Sequence, residues 1–90
     1  MLEGKIKVIN PLGLHARAAA QLVRLAGIFH SKIILHRKDN NVIADAKSIL
    51  SVLTLAASKG IELEIHVEGE DEENAFEAIR EIFQNGFGEI

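Results

Sequence analysis

The sequence predicts an α+β domain in which a four-stranded sheet is covered by helices on one side. Short segments with apolar residues at every second position alternate with segments whose apolar residues recur every three or four positions. The resulting order is β-α-β-β-α-β-α. Each predicted strand has only one apolar face, which is typical of an antiparallel or mixed sheet with a solvated side. The 90 residues, 48% of them hydrophobic, suffice for one domain spanning residues 1–90.

Three strands and one helix are predicted in the first half of the chain. A turn with Pro11 and Gly13 separates the first strand from the helix, since Pro fixes φ and Gly permits a positive φ. The residues at 39–41, Asp-Asn-Asn, are typical of a hairpin turn between the next two strands. The predicted segments are strand 4–9, helix 16–27, strand 32–37 and strand 42–44.

One strand and two helices are predicted in the second half. Ser48 has the side chain of an N-cap residue for a helix that runs to about Ser58. The segment 61–68 alternates apolar and polar residues most strictly and is predicted as a strand. Asp71 is predicted to cap the last helix, which ends at Gly86.

The charge of the chain is unevenly distributed. Residues 1–60 carry nine Lys or Arg and three acidic residues, net +6, whereas residues 61–90 carry ten acidic residues and one arginine, net −9. The basic part can attract an acidic partner. Nucleic acid is not an expected partner, because the isoelectric point is about 5.8 and the chain lacks Tyr and Trp.

Several kinds of site are not expected. Without cysteine the chain has neither a disulfide nor a Cys-based zinc site. His30, His36 and His66 have no partner at metal-ligand spacing along the sequence, so each is predicted as a surface residue and no metal site is expected. No cofactor motif is found. The chain has no apolar run long enough for a bilayer span and no signal peptide, which predicts a cytoplasmic protein without membrane insertion.

His15 is the candidate functional residue, because it lies between the turn at Gly13 and the helix that begins at Ala16. Its side chain is therefore expected beside the free N–H groups of a helix N-terminus. The helix dipole favours an anion attached to the ring, and Arg17 can offer a fork of donors to phosphate oxygens. From these residues alone two interpretations stay open: a phosphorylated histidine, or a histidine that only caps the helix.

Three short motifs, in this order and spacing, resemble the HPr family. They are Gly13-Leu14-His15-Ala16-Arg17, Ala46-Lys47-Ser48-Ile49-Leu50 and Gly69-Glu70-Asp71. The family consists of histidine-containing phosphocarriers of the bacterial phosphoenolpyruvate-dependent sugar phosphotransferase system. The resemblance covers essentially the whole chain. It implies an open-faced β-sandwich, a four-stranded antiparallel sheet with three helices on one face.

The resemblance also implies roles for individual residues. His15 would accept a phosphoryl group from phosphorylated Enzyme I and pass it to an Enzyme IIA domain for sugar uptake. Arg17 would neutralise the transferring group, and the backbone N–H groups of Ala16 and Arg17 would hold phosphate oxygens. Ser48 would be a regulatory site for an HPr serine kinase/phosphorylase. Such a protein is expected to be a monomeric carrier that uses no cofactor, rather than an independent catalyst.

An apolar docking patch is expected on the first two helices. The second helix carries more large apolar residues than its core face needs if Val52, Leu55 and Ala56 point inward. A phosphate on Ser48 would place a charge of about −2 beside this patch and repel an acidic partner. The expected partner-binding residues are Ala16, Ala20, Arg24, Lys47, Ile49, Leu50 and Leu53.

The chain departs from the family pattern directly after Arg17. The family normally has proline there, and this chain has Ala18. Proline in the first turn of a helix has a preset φ and lacks an N–H that would have no acceptor, so Ala18 adds a donor at the helix start. This departure leaves open a paralogue in a nitrogen-related or purely regulatory relay, in which phosphorylation of Ser48 switches partners.

Overall fold

The computed structural model describes residues 1–89 and contains every predicted element. The four strands pair antiparallel in the order β1-β4-β2-β3, which confirms the open-faced sandwich. The first strand begins two residues earlier than predicted. The strands are β1 (Leu2–Lys7), β2 (Lys32–Arg37), β3 (Val42–Asp45) and β4 (Glu62–Glu68), the helices are α1 (Ala16–Gly27), α2 (Ile49–Leu53) and α3 (Glu72–Gln84), and a 3₁₀ turn (Gly86–Gly88) follows α3.

The three helices cover one face of the sheet, because alternate strand residues point to the same side and bury their apolar side chains there. The opposite face lies open to solvent, and the strands accordingly alternate buried and more exposed residues. The longest helix, α3, has 13 residues, and no helix within residues 1–89 is long and apolar enough to cross a membrane. Fully buried residues of the core include Ile33, Leu35, Ile65, Leu22, Val52 and Ile79.

Helix α2 is shorter than the sequence predicts, because it ends at Leu53 rather than near Ser58. Ala56 has a φ of +48°, which a continuing helix does not allow. Nη1 of Arg37 donates hydrogen bonds of 2.9 and 3.0 Å to the carbonyl oxygens of Leu55 and Ala56. Leu55 is buried as predicted, but Ala56 is exposed. The prediction that Ala56 points inward is therefore wrong.

Asp71 lies at the N-cap of α3, but its carboxylate does not cap that helix. It accepts hydrogen bonds from the backbone N–H groups of His30, at 2.8 Å, and Ser31, at 2.9 Å, and from the Ser31 hydroxyl. These bonds, the Ser31 hydroxyl above all, lower the pKa of Asp71 to about 2. Asp71 therefore ties the start of α3 to the segment that leads into β2.

Gly13 sets the position of the loop that precedes α1. Its φ is +66°, and a Cβ at this position would lie 2.5 Å from the carbonyl oxygen of Ala57 and 2.8 Å from Cα of Ser58. Only glycine accepts both the backbone angle and this close approach without strain. The N–H of the next residue, Leu14, donates a 2.8 Å hydrogen bond to the same Ala57 carbonyl. The loop before His15 is thus fastened to the segment that follows α2.

We expect Gly13→Ala to lower the free energy of unfolding by about 1–3 kcal/mol, since it adds both a clash and a strained φ. The matched control is Gly27→Ala in α1, where an added Cβ meets no heavy atom within 4 Å. That substitution should raise the free energy of unfolding by about 0.4–1 kcal/mol. Urea unfolding followed by circular dichroism measures both. A Gly13→Ala variant as stable as the parent would contradict the close approach.

Candidate functional site

His15 is the N-cap residue of α1, in an extended backbone conformation with φ −74° and ψ 178°. The first helical hydrogen bond runs from the N–H of Ala19 to the His15 carbonyl oxygen, at 2.8 Å. The N–H groups of Ala16, Arg17 and Ala18 therefore have no acceptor within the helix. The imidazole is 24% exposed and makes no capping hydrogen bond. His15 therefore occupies the N-cap position, but its side chain does not cap the helix.

A carboxylate from the far end of the chain contacts the His15 ring. Nε2 of His15 hydrogen-bonds with Oε2 of Glu89, 74 residues away in sequence. Nδ2 of Asn10, a fully buried residue, donates to Oε1 of Glu89 at 3.2 Å and to the Gly13 carbonyl at 2.8 Å. The hydrogen bond with His15 is the main cause that lowers the pKa of Glu89, and Asn10 adds to it. Glu89 is therefore an ionised, 13% exposed partner of the ring.

The contact with Glu89 distinguishes the two ring nitrogens of His15. A neutral imidazole that donates its Nε2–H to a carboxylate keeps its lone pair on Nδ1. An ionised carboxylate favours this tautomer, because it accepts a hydrogen bond and has no proton to donate. In this tautomer, Nδ1 is the ring nitrogen that has a lone pair.

Phe87 holds the segment that carries Glu89. It lies in the 3₁₀ turn after α3, with a φ of +54°, and its side chain is buried. Its ring packs edge-on against that of Phe83 in α3, with centroids 5.0 Å apart and an interplanar angle of 74°. This aromatic contact fixes the turn two residues before Glu89 and so directs the carboxylate toward His15.

Arg17 is exposed at the second position of α1. It lines an open pocket of about 590 Å³ together with Pro11, Leu12, Glu89 and others. Among residues 1–89 its guanidinium has no ion-pair partner closer than 4.0 Å. The pocket therefore contains the Arg17 guanidinium as well as the Glu89 carboxylate, and the guanidinium can pair with an anion such as a phosphoryl group.

Ser48 is the N-cap residue of α2, as the sequence predicts. Its Oγ accepts a hydrogen bond from the N–H of Ser51 at 3.3 Å. Nζ of the neighbouring Lys47 donates to the carbonyl oxygen of Phe29 at 2.7 Å, just beyond the C-terminus of α1. Because His15 lies at the N-terminus of α1, roughly 18 Å of helix separates the two ends. Ser48 and His15 are thus at opposite ends of α1.

The expected docking residues lie on the neighbouring helices α1 and α2, which pack side by side. Leu50 is 75% exposed, and Ile49 and Leu53 are also exposed. The Lys47 ammonium group donates a hydrogen bond to the carbonyl oxygen of Phe29 and keeps its positive charge there. Of the α1 residues, Ala16 and Arg24 are exposed and Ala20 is half-buried.

Sequence reasoning did not find Glu89 or Asn10 as parts of this site. Neither residue belongs to a recognisable motif. Residues 61–90 contain ten acidic residues, and nothing in the sequence distinguishes Glu89 from the others. Glu89 reaches His15 only because α3 and its terminal turn return to the start of α1. A single sequence does not show which distant residues the fold brings into contact.

The structure also brings His36, Glu64 and His66 together on the open face of the sheet. One ligand atom from each lies within 4.8 Å of the others. The spacing of these residues along the sequence did not indicate this cluster. The partners lie on adjacent strands, so their spacing in space does not follow from their spacing along the chain. His30 lies apart from this cluster and is exposed.

The open-faced sandwich, with a half-buried histidine at the N-terminus of α1, defines a class of small α+β domains. The sequence profile of the family described as "PTS HPr component phosphorylation site" matches residues 2–85. The chain belongs to this family, the HPr phosphocarriers of the phosphotransferase system.

Individual relatives agree with the family assignment over nearly the full length. Phosphocarrier protein HPr of Xylella fastidiosa strain Temecula1 is 46% identical over 89 residues, which cover 99% of this chain and 98% of the relative. The crystal structure of HPr-C-His from Thermoanaerobacter tengcongensis has a TM-score of 0.92 and 40% identity, covering 100% and 99% of the two chains. The catabolite repression protein Crh of Bacillus subtilis, a domain-swapped dimer, has a TM-score of 0.75 and 35% identity, covering 94% and 95%.

We expect ¹⁵N NMR of the His15 ring, at a pH where the ring is neutral, to show the tautomer protonated at Nε2. Glu89→Ala should shift the ring toward a mixture of tautomers, because the carboxylate that accepts the Nε2–H is lost. Glu70→Ala, which removes an exposed carboxylate before α3, is the matched control and should change nothing. An unchanged tautomer in Glu89→Ala would contradict the orienting role of Glu89.

Proposed function

We propose that this chain carries a phosphoryl group on Nδ1 of His15, which it takes from phosphorylated Enzyme I and passes to an Enzyme IIA domain for sugar uptake. Membership of the HPr family supplies the class of reaction. The observation that carries the proposal is the surroundings of the ring. One nitrogen is held by Glu89, and the N–H groups at the start of α1 lie free beside it.

The chemistry of loading is an in-line displacement at phosphorus. The Nδ1 lone pair of His15 attacks the phosphorus of the donor, an N–P bond forms, and the donor's own bond to phosphorus breaks as its leaving group takes the electron pair. The ring retains its Nε2–H and becomes positively charged, and the carboxylate of Glu89 stabilises that charge. Discharge is the same step in reverse, with a nucleophile of the acceptor protein attacking phosphorus.

The phosphoryl oxygens are held by the start of α1. In the phosphorylated state the backbone N–H groups of Ala16 and Arg17, which have no helical acceptor, would hold phosphate oxygens, and the helix dipole favours the negative charge. The Arg17 guanidinium neutralises the transferring group. The protein contributes positioning and charge stabilisation, which are the main catalytic contributions in phosphoryl transfer.

The docking patch on α1 and α2 binds both partners in turn. An exposed apolar centre at Leu50 with Arg17 and Arg24 at its edge suits an acidic, partly apolar groove. A carrier must leave each partner after transfer, so the interface should be small, near ~1,200 Å² or below. A monomer in the cytoplasm is the simplest form of such a carrier.

Incubation with Enzyme I and phosphoenolpyruvate should place acid-labile, alkali-stable phosphate on His15, located by mass spectrometry. His15→Ala should abolish the labelling, and Arg17→Ala should slow it by about 10²–10³-fold, since a charge-stabilising donor is lost. Arg80→Ala, on the exposed side of α3, is the control for loss of an arginine and should label normally. Full labelling of His15→Ala, with its fold intact, would refute the proposal.

We also propose that Ser48 is a regulatory phosphorylation site for an ATP-dependent serine kinase. Phosphate on this N-cap would lie beside Ile49 and Leu50 at the end of α1 remote from His15. It would therefore act on docking rather than on the ring, by repelling an acidic partner.

Ser48→Asp, which mimics part of that charge, should weaken binding of Enzyme I about 10-fold in titration calorimetry. Ser48→Ala should bind like the parent chain, because it adds no charge. Asn74→Asp, an equal change on exposed α3, should also bind like the parent. Equal affinities of all three variants would show that charge at Ser48 does not control docking.

A second candidate function is a regulatory binding module in which phosphorylation of Ser48 switches partners and transfer through His15 is absent. The similarity to Crh favours it. Kinase-dependent, acid-stable phosphate on Ser48, without transfer from His15 to any Enzyme IIA domain, would support the module over the carrier. A nitrogen-related relay would instead show transfer to an acceptor of that relay.

A further inference from the structure

The open face of the sheet carries a cluster of two histidines and a glutamate, remote from the helices. His36 on β2 pairs directly with Glu64 on β4. His66 follows two residues later on β4 and therefore points to the same side as Glu64. Ligand atoms of the three side chains lie within 4.8 Å of one another. Neither the docking patch nor the His15 site uses any of these residues.

A fourth residue orients the His66 ring. Glu3 on β1 pairs directly with His66, and its Oε1 lies 3.0 Å from Nδ1 of His66. Nε2 of His66 hydrogen-bonds with Oε1 of Glu64 at 2.7 Å, and a metal ion would replace the proton between these two atoms while Nδ1–H stays on Glu3. A carboxylate behind a metal-binding histidine is the usual outer partner that fixes the ring and raises its basicity.

The His36 ring is oriented in a similar way. Its Nε2 lies 2.9 Å from the amide oxygen of Asn41 in the β2–β3 turn. An amide oxygen only accepts hydrogen bonds, so it holds the proton on Nε2 and leaves the other nitrogen of His36 with its lone pair. Neighbouring oxygen atoms therefore hold both histidine rings in position.

We propose that His36, Glu64 and His66 bind a divalent transition-metal ion of the Zn²⁺ class on the open face of the sheet. Two imidazoles and one carboxylate are a donor set that suits Zn²⁺, and a fourth position remains open to water. The ion takes the place of the hydrogen bond between His66 and Glu64, and the ligand atoms close from within 4.8 Å to about 3.3 Å, as a tetrahedral site requires.

Among residues 1–89, Lys38 is the lysine that forms an ion pair with Glu64 and would share this carboxylate with the metal ion. Nζ of Lys38 lies 3.0 Å from Oε2 of Glu64, and the Lys38 side chain is 63% exposed. An exposed pair of this kind contributes little stability. It also involves the oxygen of Glu64 that does not face His66, so Oε1 is available to the metal while Oε2 keeps its lysine.

The proposal is tested by titrating ZnCl₂ into the full, metal-free chain by isothermal titration calorimetry. We expect one strong site per chain, together with a Tm that rises by about 5 °C or more at zinc concentrations well above Kd. His36→Ala and His66→Ala should each weaken binding at least about 10-fold, and Glu3→Ala should weaken it about 10-fold through the lost outer partner.

The control is His30→Ala, which removes an exposed histidine outside the cluster and should leave binding unchanged. Imidazole signals in ¹H–¹⁵N NMR should shift for His36 and His66 on addition of zinc. The substituted side chains lie on the solvent face, and circular dichroism checks that each variant folds. Should His66→Ala fail to fold, His36→Gln provides the same test. Zinc binding that survives loss of both histidines, or that is lost only in His15→Ala, would overturn the proposal.

Discussion

The contact between the His15 ring and the Glu89 carboxylate is the interaction on which the rest of this site depends. It joins two ends of the chain that are 74 residues apart, so it forms only when the whole fold has formed. Gly13 fixes the loop before the ring against Ala57, and the buried Phe87 fixes the turn that carries the carboxylate. Both supports are made of backbone and core packing, which hold a side chain more precisely than a free loop does.

The two faces of the sheet carry two different groups of polar side chains. The helical face places a ring, a helix N-terminus and an arginine together, an arrangement that suits an anion. The open face places imidazoles and carboxylates on neighbouring strands, an arrangement that suits a cation. The two sites lie on opposite sides of one apolar core, so a ligand at either need not disturb the other.

The start of α1 shows how the missing proline is accommodated. Ala18 is fully buried, and the helix begins at Ala16 without the preset φ of proline. The N–H that Ala18 adds lies in the first turn, where no helical acceptor exists. The substitution therefore adds a donor at the N-terminal end of the helix.

Short-range physics explains what the sequence by itself determined. The bounds 16–27 and 32–37, the place of His15 before α1 and the cap at Ser48 all follow from periodicity and capping within a few residues. The resemblance to the HPr family predicted that His15 carries a phosphoryl group.

Tertiary structure alone decided the rest, because strand register and helix docking bring together residues that no local pattern connects. Arg37 ends α2 early by binding the carbonyl oxygens of Leu55 and Ala56. The same long-range packing delivers Glu89 to His15 and lines up side chains across β1, β4 and β2. The register of the strands is set by the burial of apolar side chains over the whole sheet. The sequence of one strand therefore does not predict which side chains become neighbours on the open face.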